Sequence, residues 1–418
     1  MTFGAAVGTF AGLASALLLV SVVIVIVSAS WRLAACAVAA AVLAGCGGGG
    51  STRAPVPSAP APAQSPSRSS PAPGPVGLSD LSPTQLAGQR VIYSYSGLTP
   101  PAGLLDVIRH GEAAGVIFFG GNIASAAQIA GVISELEQAN ASPGNPLRAL
   151  PLLLMTDQED GLVRRLPGAP LLSQKQIGAS ADPATEAAAA GIQAGQTLAS
   201  VGMNVNLAPV LDVFREPADF DDQFGRSYSS DPDAVSVLGA DFIAAQQAVG
   251  VAATVKHFPG LGAAASSQNT DEQAVTLSVS RENLRSSDEF PYQAAIASGV
   301  KLVMVSWAVY PALDPRLPAG LSPAIIGGEL RQRLGFTGVT ITDALEAGAL
   351  RAFGTTGQRA TLAASAGMDL ILCSGQSVDQ GDQARIALQQ GLGNGTLDHA
   401  AFTSAVQRIA SLRASLRS

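Results

Sequence analysis

Eight short apolar runs punctuate the chain, at residues 90–95, 116–119, 152–155, 203–207, 252–255, 302–305, 339–341 and 370–372. They are rich in Val, Ile and Leu, as strands covered on both faces are. Between them lie Ala- and Leu-rich stretches with apolar positions at helical spacing, among them 125–138, 183–200, 233–249, 281–297, 322–334, 357–366 and 400–412. The alternation predicts eight β-then-α units joined by right-handed crossovers. That is the element count of a single TIM (β/α)8 barrel, expected over residues 78–418. An open doubly wound sheet has the same alternation. Polar residues close at least four of the runs, and this favours the barrel, in which all strand ends face one pocket.

The N-terminus follows a different pattern. Residues 1–31 carry no charged side chain, and 10–29 are apolar enough to span a bilayer. Arg32, a second apolar run over 33–43 and then Leu43-Ala44-Gly45-Cys46 have the order of a secretory signal ending in a lipobox. Residues 1–45 are therefore expected to be a leader, with Cys46 lipidated after cleavage. Residues 46–77 are mostly Gly, Ser, Pro and Ala and cannot bury enough surface to offset chain entropy, so a disordered spacer is expected. Together these features predict an exported monomer held to the outer face of the membrane by its lipid alone.

Charge and cysteine content narrow the picture. A net charge of −7 without a basic run excludes an electrostatic footprint for nucleic acid. Of the three Cys, Cys36 lies in the leader, Cys46 at the lipobox and Cys373 in an apolar run. No intrachain disulfide is then available to the mature domain, and no metal-ligand spacing occurs.

Chemistry collects at the ends of the apolar runs. Thr156-Asp157-Gln158-Glu159, with Val163-Arg164-Arg165 beyond it, follows one run; Asp212, Lys256-His257 and Asp343 follow others. Several carboxylates, a Lys, a His and Arg residues in one pocket can bond every hydroxyl of a pyranose ring, and charge-assisted bonds would fix its orientation. Each group alone could equally be a structural ion pair.

The motifs resemble those of glycoside hydrolase family 3. Asp157-Gln158-Glu159 with Arg164 is similar to the family's substrate-binding Asp-Gln-Glu-Gly-Gly-x-x-x-Arg, with Asp160 where the first Gly is usual. Residues 206–213 resemble its Asn-Phe-Ala-Pro-Val-Leu-Asp-Val, and Arg226-Ser227-Tyr228 its sugar-binding Arg-Ser-Phe. Lys256-His257-Phe258-Pro259-Gly260 matches its Lys-His-Phe-Pro-Gly, Val305-Ser306-Trp307 falls where Val-Ser-His is frequent, and Gly338 to Asp343 resembles the strand that delivers the nucleophile. The resemblance implies Asp343 as nucleophile and Asp157, Arg164, Arg226, Lys256 and His257 as sugar ligands, with no metal or organic cofactor. It further implies a single-domain β-N-acetylhexosaminidase of the lipoprotein branch, a retaining exo-enzyme acting on terminal β-linked N-acetylglucosamine, as in peptidoglycan fragments. A β-glucosidase, a phosphorylase of the same family and a catalytically silent sugar-binding lipoprotein remain as alternatives.

One departure bears on the mechanism. Single-domain members take their general acid/base from an Asp-Ser-His loop after Lys-His-Phe-Pro-Gly-His-Gly. Here Leu261 replaces the His, and the loop reads Ser266-Ser267-Gln268-Asn269-Thr270-Asp271-Glu272-Gln273. His110, His257 and His399 are the chain's only His residues, and none lies in it. The proton donor is therefore expected among the loop carboxylates, with Glu272 slightly preferred over Asp271.

Overall fold

The computed structural model describes residues 77–416, so the leader, Cys46 and nearly all of the spacer lie outside the described residues. Strands β1 (Val91–Tyr93), β2 (Gly115–Ile117), β3 (Leu153–Thr156), β4 (Val205–Asn206), β5 (Ala252–Phe258), β6 (Leu302–Val305), β7 (Val339–Thr342) and β8 (Ile371–Leu372) form one parallel sheet. Each of β1 to β6 pairs with the next in sequence, β8 pairs with β1, and a parallel bridge between Ile341 and Leu370 joins β7 to β8. The sheet thus closes on itself as the expected TIM barrel, not as an open doubly wound sheet.

Side-chain alternation explains why the barrel has a filled interior. Successive strand residues point to opposite faces. Leu153, Met155, Leu302, Met304, Val339 and Ile341 pack in the interior cluster. Their neighbours Leu152, Leu154, Val303 and Val305 join the larger outer cluster beneath the helices. The helices Ala126–Asn140, Pro183–Ala199 and Pro232–Ala248 begin where Ser125, Asp182 and Asp231 accept a first-turn backbone N–H.

Some helical stretches take another form. The stretch at 281–297 becomes a short α turn, a π-helical segment Leu284–Asp288 and the helix Phe290–Ala297, and the stretch at 322–334 is π-helical over Ala324–Arg333. Helix Val378–Gly393 has little apolar contrast to announce it. Its Gly381 is forced by packing, since a Cβ there would lie 2.2 Å from the Tyr93 ring.

The last helix, His399–Ser415, closes the N-terminal end of the barrel. Its Ile409 and Leu412 enter the interior cluster, and Arg413 donates to the carbonyls of Pro151 (2.7 Å) and Leu150 (3.0 Å). The C-terminal end of the strands stays open. Among the described residues no helix is long and apolar enough to cross a membrane.

Candidate active site

A cavity of about 240 Å³ opens at the C-terminal ends of the strands. Asp157, Glu159 and Arg165 reach it from the segment after β3, Lys256 and His257 from the end of β5, and Asp343 from the residue after β7. Arg226 arrives from the loop after β4, and Asn269, Thr270 and Asp271 from the loop after β5.

Glu159 is the hub of the charged wall. It is 1% exposed, accepts from Arg226 Nε at 2.8 Å and Nη2 at 2.9 Å, and lies 2.6 Å from Lys256 Nζ. Burial alone would raise its pKa, but Arg226 and Lys256 outweigh this and hold it at about 2. Lys256 also donates to Asp157 Oδ1 at 2.8 Å. Burial works to lower the lysine's pKa, and the charges of Asp157 and Glu159 leave it raised, so the ammonium stays charged. The ion pairs fix the long side chains of Lys256 and Arg226 before any ligand arrives.

His257 faces the cavity with its ring held from behind. Its Nδ1 lies 2.6 Å from Asp212 Oδ2, and burial lowers its pKa. A neutral ring that donates Nδ1–H to Asp212 keeps Nε2 as an acceptor. Asp212 also accepts the backbone N–H of Leu261 at 2.5 Å. Asp212, Asp221 and His257 bring three ligand-type atoms within 4.8 Å of one another, the grouping among the described residues nearest to a metal site. Those groups are already engaged: Asp212 with His257 and Leu261, and Asp221 with Arg226 Nη1 at 2.5 Å.

Asp343 is bonded more sparingly. It accepts the backbone N–H of Ala344 at 2.7 Å and is partly exposed toward the cavity. Burial, and then the neighbouring charge of Asp271, push its pKa up to about 6. Asp271 is raised as well, first by burial and further by the charges of Glu346 and Asp157. The charge of Asp271 thus opposes ionisation of Asp343.

The loop that carries Asp271 is docked on the segment after Asp343. Gly348 N–H donates to the Asp271 carbonyl at 2.7 Å, and Ala349 N–H to that of Thr270 at 3.0 Å. A Cβ at Gly348 would lie 2.1 Å from the Glu272 carbonyl oxygen, so only glycine allows this approach. Of the two loop carboxylates, the cavity takes in one. Both residues are exposed, but Glu272 accepts from Asn269 Nδ2 at 3.2 Å and lies outside the cavity lining, whereas Asp271 is part of it. Gln273 donates to the Ser267 carbonyl at 2.7 Å.

Arg164 also lies off the cavity. Its guanidinium is spent on the carbonyls of Gly161 (2.7 Å from Nε) and Gly168, outside the cavity lining. Arg165 lines the cavity instead, with its Nη2 3.7 Å from Asp157 Oδ2 and its buried Nε without a hydrogen-bond partner. The signal was present in the sequence, because the spacing Asp-Gln-Glu-Gly-Gly-x-x-x-Arg counted from Asp157 ends on Arg165. Asp157, Arg226, Lys256, His257, Asp271 and Asp343 are brought together; Arg164 and Glu272 are not.

The comparisons agree with this geometry. Residues 94–412 match the family model described as glycosyl hydrolase family 3 N terminal domain. An uncharacterized secreted glycosyl hydrolase from Arthroderma benhamiae is 44% identical over 331 residues, covering 79% of this chain and 93% of the relative. A β-hexosaminidase from Stenotrophomonas maltophilia is 33% identical over 284 residues, or 66% of this chain and 80% of the relative. Among solved structures, a family 3 β-N-acetylglucosaminidase from Paenibacillus sp. superposes with a TM-score of 0.75 at 34% identity, over 80% of this chain and 63% of that one. A β-N-acetylhexosaminidase from Beutenbergia cavernae gives 0.72 at 32% identity, over 80% of this chain and 99% of that one. With three quarters of its length matched to the family and a barrel whose open end gathers these carboxylates, this chain belongs to glycoside hydrolase family 3.

Proposed function

We propose that the protein is an exo-acting, retaining β-N-acetylglucosaminidase. The observation that carries this is the shared cavity of Asp343 and Asp271, each raised in pKa, beside a prefixed wall of Lys256, Arg226 and Glu159. A cavity of about 240 Å³ suits one sugar ring, which favours cleavage at a chain end. The β-hexosaminidase and β-N-acetylglucosaminidase names of its relatives and structural neighbours point to N-acetylglucosamine as the terminal sugar. Peptidoglycan fragments are the proposed source.

In this reading Asp343 attacks the anomeric carbon and forms a covalent glycosyl-enzyme. Asp271 protonates the departing oxygen and then takes a proton from the water that releases the sugar. Asp157, Lys256, His257 and Arg226 bond the sugar hydroxyls, and Arg165 joins them in place of Arg164. Each such contact contributes about 1 to 3 kcal/mol to the transition state. Departure without an Asp-His pair is then assisted by a carboxylic acid whose pKa desolvation and like charge raise.

Incubation with a panel of chromogenic β-glycosides, with and without phosphate, tests the assignment. Hydrolysis of the N-acetylglucosaminide, indifferent to phosphate, is expected. Preference for the glucoside, or release that depends on phosphate, would move the protein to another activity of the family. We further propose export through the 1–45 leader and lipidation at Cys46, in line with the secreted description of the Arthroderma relative. Replacement of Cys46 by Ala should then shift the protein out of the membrane fraction.

A further inference from the structure

Phe220 forms part of the cavity wall, and Phe224 stands beside it, 44% exposed. Their ring centroids are 5.8 Å apart and the rings meet edge to face at 80°. The segment that carries them is fixed on two sides. Phe220 N–H donates to the Ala264 carbonyl at 2.8 Å and Gln223 Nε2 to that of Ser266 at 2.9 Å, which ties it to the loop bearing Asp271. On the other side, Lys175 N–H donates to the Gly225 carbonyl at 3.1 Å and Lys175 Nζ to Asp222 Oδ2 at 2.7 Å. Gly225, at φ 71°, closes the turn in the left-handed region.

An apolar ring exposed on a segment so constrained is not there to fill the core. The cavity holds one sugar, so whatever is attached to that sugar must leave through the mouth. If Asp271 delivers the proton, the leaving group lies along the Asp271 loop, which is the loop to which the Phe220–Phe224 segment is bonded. We propose that Phe224, backed by Phe220, is the acceptor subsite and stacks against the flat C–H face of a ring-shaped leaving group. The C–H face of a second pyranose, or the C–H edge of an aryl group, meets the negative face of a phenyl ring favourably and sheds water on both sides. The inference rests on the proposed glycosidase reading and on Asp271 as proton donor.

The test compares leaving groups that possess a ring with one that does not. In the full chain, Phe224→Ala should lower kcat/KM about 10-fold for the β-1,4-linked N-acetylglucosamine disaccharide and for an aryl N-acetylglucosaminide. It should leave kcat/KM for N-acetylglucosaminyl fluoride unchanged, because fluoride has nothing to stack. Phe224→Trp, with a larger face, should retain or improve the disaccharide rate. An equal loss on all three substrates, or no loss on any, would overturn the proposal while the glycosidase reading stands. If the parent protein turns over neither the fluoride nor the disaccharide, the glycosidase reading itself fails and the subsite with it.

Discussion

At the N-terminal end of the barrel, Asp369 lies 2.7 Å from Arg331 Nη2 and 2.6 Å from Arg408 Nη2, and it accepts the Thr340 backbone N–H at 2.9 Å. Arg90, buried beside it, donates to the carbonyls of Asp369 and Met368 and stacks 4.3 Å over the Phe402 ring. At the C-terminal end, Glu159, Lys256 and Arg226 are bonded as densely, but Asp343 keeps one backbone hydrogen bond and an open face toward a cavity. Both ends bury carboxylates and guanidinium groups, so burial of charge does not by itself mark function. What separates them is bonding capacity left over and aimed at a space of ligand size. The lower cluster spends its charges on holding β1, β7 and β8 to the closing helix; the upper one spends its outer charges on holding an inner one ready.

The sharpest contrast comes from replacing one Asp at each end. Asp343→Asn keeps the volume but removes the charge proposed to attack, so kcat should fall by roughly 10⁴-fold or more while the denaturant midpoint stays close to the parent's. The next largest effect is expected from Asp271→Ala, which should slow glycosides with poor leaving groups by about 10²- to 10⁴-fold and activated aryl glycosides much less. The same variant carries a sign that pH profiles can read. The charge of Asp271 helps to push Asp343 up to about 6, so its removal lets Asp343 ionise at lower pH. The acid limb of kcat/KM, near 6 in the parent, should therefore move down, and an unmoved limb would show that the two carboxyl groups are not coupled.

Asp369→Asn is the counterpart at the lower end. It leaves buried Arg groups short of their counter-charge and should cost about 3 to 5 kcal/mol of stability by denaturant unfolding. Activity per folded molecule should be retained. A loss of kcat greater than the loss of folded protein would mean that the lower cluster also serves the site. The smallest effect is expected at Glu272, whose carboxylate faces outward. Glu272→Ala should leave both the leaving-group dependence and the pH profile as they are, and a loss confined to poor leaving groups would return the acid role to it.

The barrel was legible because its strands are covered on both faces and its helices are long and Ala-rich, so the periods of each element survive in the sequence. Helix Val378–Gly393 was not, because its buried face is Gly381, Ala384, Leu388 and Gly391, with a single large apolar side chain in place of a stripe. Within the site, Lys256, His257 and Asp343 stand at strand ends, which the closed sheet gathers at one mouth. Asp271 and Glu272 stand in a loop without a period, and that loop is docked through two backbone hydrogen bonds from Gly348 and Ala349, distant in sequence. Arg164 and Arg165 differ by one residue at the end of the ribbon Gln158–Asp160 with Val163–Arg164, so adjacent side chains leave in different directions.

The central claim is that the open carboxylate after β7 is the group that bonds to sugar. Reaction with a fluorinated N-acetylglucosaminyl fluoride that traps the glycosyl-enzyme, followed by peptide mapping, tests it most directly. A single label is expected on Asp343, absent in Asp343→Asn and still formed in Asp271→Ala. A label on Asp157, Asp212 or Asp271, or turnover with inversion and no label at all, would contradict it.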